Sequence, residues 1–307
     1  MKTTLLLCII CFSIQTLDAQ QLNGFDLKET LIPSKEILRG GPPRDGIPSV
    51  DKPEFKKAFE YREFGNNIQV LGIFYNGIAK AYPIKILDWH EIVNDDFGGE
   101  PVVITYCPLC GSGIAFEADV VGDKPTEFGV SGLLYNSDVL LYDRTTQSLW
   151  SQILGKAISG PLKGHELQVV NTQRMTLKAW KNLYPWTLIL TTNTGYERNY
   201  QTSPYGSYDL ENRTMFPVAN TNDALHKKEW VIGIENKGVY KAYSIKRLAK
   251  LRKQELKDTV GGETFTLTWD KKAENVVIKN SDEEKIVGLQ MFWFAWVAFH
   301  PDTEVFK

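Results

Sequence analysis

The sequence predicts a β-rich α+β fold, built from internally duplicated hairpin-helix-strand units packed as one compact body. Three observations predict it. First, Val70-Leu71-Gly72-Ile73 returns as Val231-Ile232-Gly233-Ile234, 161 positions later. At the same offset Lys80-Ala81-Tyr82 meets Lys241-Ala242-Tyr243, and after a two-residue slip Gly98-Gly99-Glu100 meets Gly261-Gly262-Glu263. Second, Asn76-Gly77 stands between two apolar runs, a strong hairpin signal. Third, residues at helical spacing follow the hairpin in each copy: Ile84, Leu87, Glu91 and Ile92 in the first, Ile245, Leu248 and Leu251 in the second.

Read in chain order, the elements begin with an N-terminal leader. Lys2 precedes an apolar run from Thr3 to Ile14, too short to span a bilayer, which needs about 20 residues. Ala19 offers a small residue for cleavage, so residues 1–19 read as a signal peptide and the product as periplasmic or secreted. The remainder, 20–307, reads as a single duplicated domain, with copy one at about 47–170 and copy two at about 216–307. In copy one a strand at Val70–Tyr75 turns at Asn76-Gly77 into a strand at Ile78–Tyr82, then a helix, a Gly-Gly turn and a strand at Val102–Tyr106. Beyond it, Gly113–Ala118 with Thr126–Val130 reads as a hairpin, and Leu133–Asp143 with Ser148–Trp150 as another. Lys178–Leu183 reads as a short helix stopped near Pro185, Thr187–Thr191 as a strand, and Thr194–Arg213 as an irregular loop. The Lys-rich stretch Lys246–Lys257 reads as the solvated face of a helix. A weaker third anchor of the repeat pairs Tyr142–Trp150 with Phe299–Phe306.

Composition narrows the function. The 307 residues are 43% hydrophobic and 12% aromatic, enough for a packed core, and the formal charge of −2 gives no reason to expect nucleic acid or an anionic membrane as partner. No second apolar run approaches spanning length. Two of the four cysteines, Cys8 and Cys11, fall in the leader, and the two that remain do not make a disulfide scaffold. The other two stand together in Tyr106-Cys107-Pro108-Leu109-Cys110-Gly111. Thiols two residues apart grip a soft metal, cycle as a disulfide, or staple a turn. Pro108 pre-sets φ in such a knuckle, and Gly111 tolerates the tight backbone after it.

Several motifs together resemble one family. They are Trp89-His90-Glu91-Ile92-Val93-Asn94-Asp95, the Cys107–Cys110 knuckle with Gly113, Leu133-Leu134-Tyr135-Asn136-Ser137-Asp138, Tyr142-Asp143-Arg144, and Phe299-His300-Pro301-Asp302. The chain is identified by them as a member of the domain-of-unknown-function 3179 family, over roughly residues 35 to 307. That resemblance implies shared residues and no activity. The knuckle by itself is similar to half of a rubredoxin-type or zinc-ribbon site, without the second half.

The functional expectation is therefore a secreted metal-binding protein. Two thiolates and an imidazole suit Cu(I) or Zn(II), and outside the cytoplasm copper comes first and zinc second. The expected ligands are Cys107, Cys110, His90 and His300, with Asp143 as a weaker addition. Two readings stand beside it: a periplasmic thiol-disulfide oxidoreductase using the thiol pair, and a non-catalytic interaction module whose knuckle only shapes the fold. Asn136, Asp138, Asp143 and Arg144 form a polar cluster inside apolar strands, read as a satisfied structural network with some scope for binding. His165 and His226 read as surface residues.

Overall fold

Asn76 and Gly77 both take positive φ (+47° and +75°), the backbone of a type I′ turn, and fold Gln69–Tyr75 onto Ile78–Pro83 with Tyr75 opposite Ile78. In the second copy Lys237 and Gly238 (+51°, +77°) do the same for Trp230–Asn236 and Val239–Ser244. These hairpins belong to two of the five larger sheets among the described residues, beside a small two-stranded one at Gln21–Leu22 and Phe25–Asp26. The computed structural model describes residues 21–118, 125–251, 255–271 and 275–306. The leader expected over 1–19, with Cys8 and Cys11, lies outside the described residues.

The α+β expectation is corrected. The chain is 42% strand and 11% helix, arranged as a five-bladed β-propeller. Sheet 1 runs Thr172–Thr176, Gln69–Tyr75, Ile78–Pro83, Leu188–Leu190, Phe55–Lys57. Sheet 2 runs Val169–Val170, Ser112–Glu117, Pro101–Cys107, Ile92–Asp96. Sheet 3 runs Lys156–Ser159, Leu149–Ser151, Asp138–Asp143, Phe128–Tyr135, Ile37–Arg39. Sheet 4 runs Leu289–Phe292, Trp230–Asn236, Val239–Ser244, Glu304–Phe306, and sheet 5 runs Glu255–Val260, Glu263–Asp270, Asn275–Lys279, Lys285–Ile286. The helices are α1 (Ile84–His90), α2 (Leu177–Leu183), α3 (Ile245–Leu248) and α4 (Trp293–Phe299), none longer than 7 residues. Two turns of helix cannot form a layer of their own, so they serve as connectors between strands. Among the described residues no helix is long and apolar enough to cross a membrane.

The duplication is one of topology. Each copy runs hairpin, helix, four-stranded sheet, then strand, helix and a strand parallel to the second hairpin strand. Sheets 1 and 2 form the first copy, and sheets 4 and 5 the second. Sheet 3 is an insertion: its strands from Phe128 to Ser159 lie between Ser112–Glu117 and Val169–Val170, where copy two passes directly from Asn275–Lys279 to Lys285–Ile286. The elements of copy one therefore extend to Leu190.

This topology corrects three local readings. The mate of Phe299–Phe306 is the segment around α2, not Tyr142–Trp150. Met175, Ala179, Trp180, Pro185 and Thr187 meet Met291, Ala295, Trp296, Pro301 and Thr303, each 116 positions apart. Gly113–Ala118 and Thr126–Val130 do not form a hairpin, because Ser112–Glu117 and Phe128–Tyr135 belong to different sheets. Among the described residues of Lys246–Lys257 only the start is helical, in α3, while Glu255–Val260 is a strand with alternating exposure, so Lys257 sits on the solvated face of a sheet.

The equivalent tryptophans explain why the copies keep a glycine in mid-strand. A Cβ on Gly72 would lie 2.3 Å from the Trp180 ring, and one on Gly233 would lie 2.2 Å from Trp296. Trp180 Nε1 donates to Thr187 Oγ1 at 2.8 Å, and Trp296 Nε1 to Thr303 Oγ1 at 2.8 Å. Each connector helix thus lays a buried indole flat on the hairpin, and only glycine leaves room for it.

Gly233→Ala and Gly72→Ala will each destabilise the protein by about 1–3 kcal/mol or more through overpacking. Gly65→Ala, where an added Cβ meets nothing within 4 Å, will change stability by less than about 0.5 kcal/mol. Denaturant midpoints of the three variants check this.

Candidate metal centre

Cys107 ends its strand opposite Ser112, and four residues turn the chain between them. Inside that turn Cys110 N donates to Cys107 O at 3.2 Å. Gly111 has φ +66°, and a Cβ there would lie 2.5 Å from the Trp230 ring. Cys110 O accepts from Phe292 N at 2.8 Å. Copy two thereby pins the knuckle of copy one from outside.

A second turn meets the knuckle from sheet 3. Asn136 and Ser137 have φ +53° and +64°, a two-residue type I′ hairpin with Tyr135 opposite Asp138. The Asn136 side chain donates to Ala298 O (3.1 Å) and accepts from Ala219 N (2.8 Å), while Ser137 Oγ donates to Phe216 O (2.8 Å). Held at three points, the turn aims the Ser137 carbonyl at both thiols, with Cys110 Sγ at 3.4 Å and Cys107 Sγ at 3.6 Å. It also delivers Asp138. The two Sγ atoms and an Asp138 carboxylate oxygen all lie within 4.8 Å of one another, a group that can hold a metal ion.

The centre is buried: Cys107 is 1% exposed, and Cys110 and Asp138 are 0%. Both cysteines are free thiols. Burial pushes both thiols up from their ordinary pKa, Cys110 the further. It also pushes the Asp138 carboxyl up to about 7, against the opposing pull of Ile153 N, which donates to Oδ2 at 3.1 Å. A polar network lies beside the carboxylate. Ser112 Oγ, 3.5 Å from Asp138 Oδ1, donates to Gln152 Oε1 at 2.6 Å, and Gln152 Nε2 donates to Thr105 Oγ1 at 2.8 Å. Lys228 stands nearby, 5% exposed, its Nζ 3.0 Å from the centre of the Tyr208 ring and without a hydrogen-bond partner among the described residues. Burial lowers its pKa to about 8, and the thiols are the largest opposing influence.

The structure does not bring the histidines into this group. His90 is fully buried, with Nδ1 2.8 Å from Pro48 O and Nε2 2.7 Å from Tyr200 OH. A carbonyl only accepts, so Nδ1 carries the proton and Nε2 accepts from the tyrosine, leaving neither nitrogen free. His300 stacks on Tyr240 (centroids 4.1 Å apart) and meets the tilted ring of Trp296 (4.3 Å), away from the thiols' donor set. Burial lowers its pKa to about 4. Asp143 accepts from Trp150 Nε1 at 3.0 Å and from Thr146 Oγ1 at 2.8 Å, a structural role. Arg144 pairs with Asp51 and Glu127, not with Asp143. His165 and His226 are exposed, as expected. Sequence reasoning placed Asp138 only in a polar cluster and missed Lys228, which sits in no motif.

Residues 44–289 match the family described as Protein of unknown function (DUF3179). The chain belongs to that family. The match contains the knuckle, the Asn136–Ser137 turn, Asp138 and Lys228, while His300 lies beyond it. Comparisons with curated proteins and with solved structures find no match.

The His300 placement gives a signed pH dependence. Its folded pKa lies below that of an unfolded histidine, so its contribution is present above about pH 6.5 and is lost as pH falls towards 4. His300→Phe keeps a ring on Tyr240 and Trp296. Between pH 7 and 4 the variant will lose less stability than the wild type, by up to about 3 kcal/mol, in urea unfolding at each pH.

Proposed function

We propose that this is an exported zinc protein, with Cys107, Cys110 and Asp138 as its ligands. The observation that carries the reading is the donor group: two thiols and a carboxyl within 4.8 Å, from two turns that other parts of the chain hold in place. The sequence reading put copper before zinc on the extracytoplasmic setting, with an imidazole as third ligand. A carboxylate there is a harder donor and suits Zn(II) better than Cu(I). Charge points the same way. Two thiolates and one carboxylate carry three negative charges, so Zn(II) leaves a residual −1 and Cu(I) a residual −2. In a buried site the smaller residue is favoured, and the Lys228 ammonium stands near enough to offset it. Three protein ligands leave a fourth position for water or a small ligand, as in zinc sites that do chemistry.

The oxidoreductase reading is weaker. Thiol exchange needs an accessible thiol with lowered pKa, and both thiols here are buried with raised pKa.

The test is metal content and affinity of the purified chain. The wild type will hold about one zinc per chain, Cys107→Ser/Cys110→Ser close to none, and Asp138→Asn will bind at least about tenfold more weakly. Added zinc will raise the wild-type melting temperature and leave that of the double variant unchanged. Equal zinc binding by the double variant would overturn the proposal.

A further inference from the structure

Beside the knuckle lies a cavity of about 380 Å³, within the usual range for small-molecule sites. Leu109, the residue between the two thiols, forms part of its wall, with Leu134 of sheet 3 and Phe216 of the loop before copy two. Most of the lining is apolar. The charged lining residues are Asp88, Glu91 and Arg198; Asp88 also has a hydrogen bond from Ser203 and the charges of Arg174 and Lys85 acting on it.

Glu91 is built into this wall at a cost. It follows α1 with φ +57°, a backbone conformation that side-chain-bearing residues rarely adopt. It is locked there by Glu91 N donating to Leu87 O (2.8 Å) and Tyr106 N donating to Glu91 O (2.7 Å). The residue is 6% exposed. Its carboxyl receives one side-chain hydrogen bond among the described residues, from Tyr205 OH at 2.8 Å. Neither Glu91 nor Asp88 forms an ion pair among the described residues, and the Arg198 guanidinium donates instead to Glu197 O. Here a strained backbone holds a carboxyl with a single side-chain donor, Tyr205, at the wall of an apolar cavity.

We infer that this cavity binds a small organic ammonium ion, with its apolar body on the Leu109–Leu134–Phe216 wall and its charged end against Glu91 and Asp88. Such an ion sets a charged donor beside the Glu91 carboxylate, which forms no ion pair among the described residues. Burial raises Glu91 to about 7 and Asp88 to about 6, so both are ionised in the mildly alkaline range where the pairing is strongest. The inference goes beyond the zinc reading, since none of these groups belongs to the Cys107–Cys110–Asp138 set.

Isothermal titration of the full chain, dialysed against a chelator to keep amines off any metal, tests it. The probes are n-hexylamine, 1-hexanol and hexanoate at about pH 8. Hexylammonium will bind at least about tenfold more tightly than hexanol, and hexanoate more weakly than either. Glu91→Gln will remove the preference for the ammonium while still binding hexanol. Leu134→Trp, which fills the cavity, will remove binding of both. Equal affinity for the ammonium and the carboxylate, a preference that survives Glu91→Gln, or no saturable binding of hexylammonium would each overturn the inference.

Discussion

Burying two thiols and a carboxyl in one space less than 5 Å across is the constraint on which the site depends. In that space each group resists ionisation, and each resists it more if a neighbour has already ionised. The neutral form needs acceptors, and the Ser137 carbonyl serves both sulfurs. The ionised form needs a cation. A divalent metal is the compact way to supply it, because it replaces the lost hydration of all three groups at once. The surrounding structure reads as the means of holding the three groups together: a positive-φ turn on each side, a glycine where Trp230 leaves no room for a side chain, and a hydrogen-bonded chain from Ser112 through Gln152 to Thr105.

The same constraint accounts for the asymmetry between the copies. Copy two has the hairpin, the connector helices and the four-stranded sheet, and its indole lies on its glycine as in copy one. It has no cysteine, and it has no inserted sheet between its third and fourth strands. Ser137 and Asp138 come from that insertion. The centre therefore needs a knuckle from the repeat, a turn from the insertion, and the Phe292 amide of the other copy. Sulfur ligands added to copy two alone would have no carboxylate to meet.

How much of this was legible in the sequence depends on the range of the signal. The hairpins were legible because Asn76-Gly77 and the repeated Val-Leu-Gly-Ile carry their geometry locally. The thiol pair was legible for the same reason. The propeller was not, because short helices and strands at helical and alternating spacing fit many architectures until the sheet order is known. Residues Met175–Thr187 and Met291–Thr303 share a pattern of Met, Ala, Trp, Pro and Thr, and that signal was available. An anchor drawn through Tyr142–Trp150 instead misplaced His300 opposite Asp143, where the topology puts it opposite Tyr184. Asp138 as a ligand depends on a contact across about thirty residues and two sheets. His90 has the composition of a ligand, and only the carbonyl of Pro48 and the hydroxyl of Tyr200 reveal that both its nitrogens are used.

The central claim is the identity of the donor set, and X-ray absorption at the zinc edge of the loaded protein reads it directly. The account predicts two sulfur scatterers at about 2.3 Å and oxygen scatterers at about 2.0–2.2 Å, with no multiple-scattering signature of imidazole. A first shell of nitrogen and oxygen alone, or one with clear imidazole scattering, would contradict it.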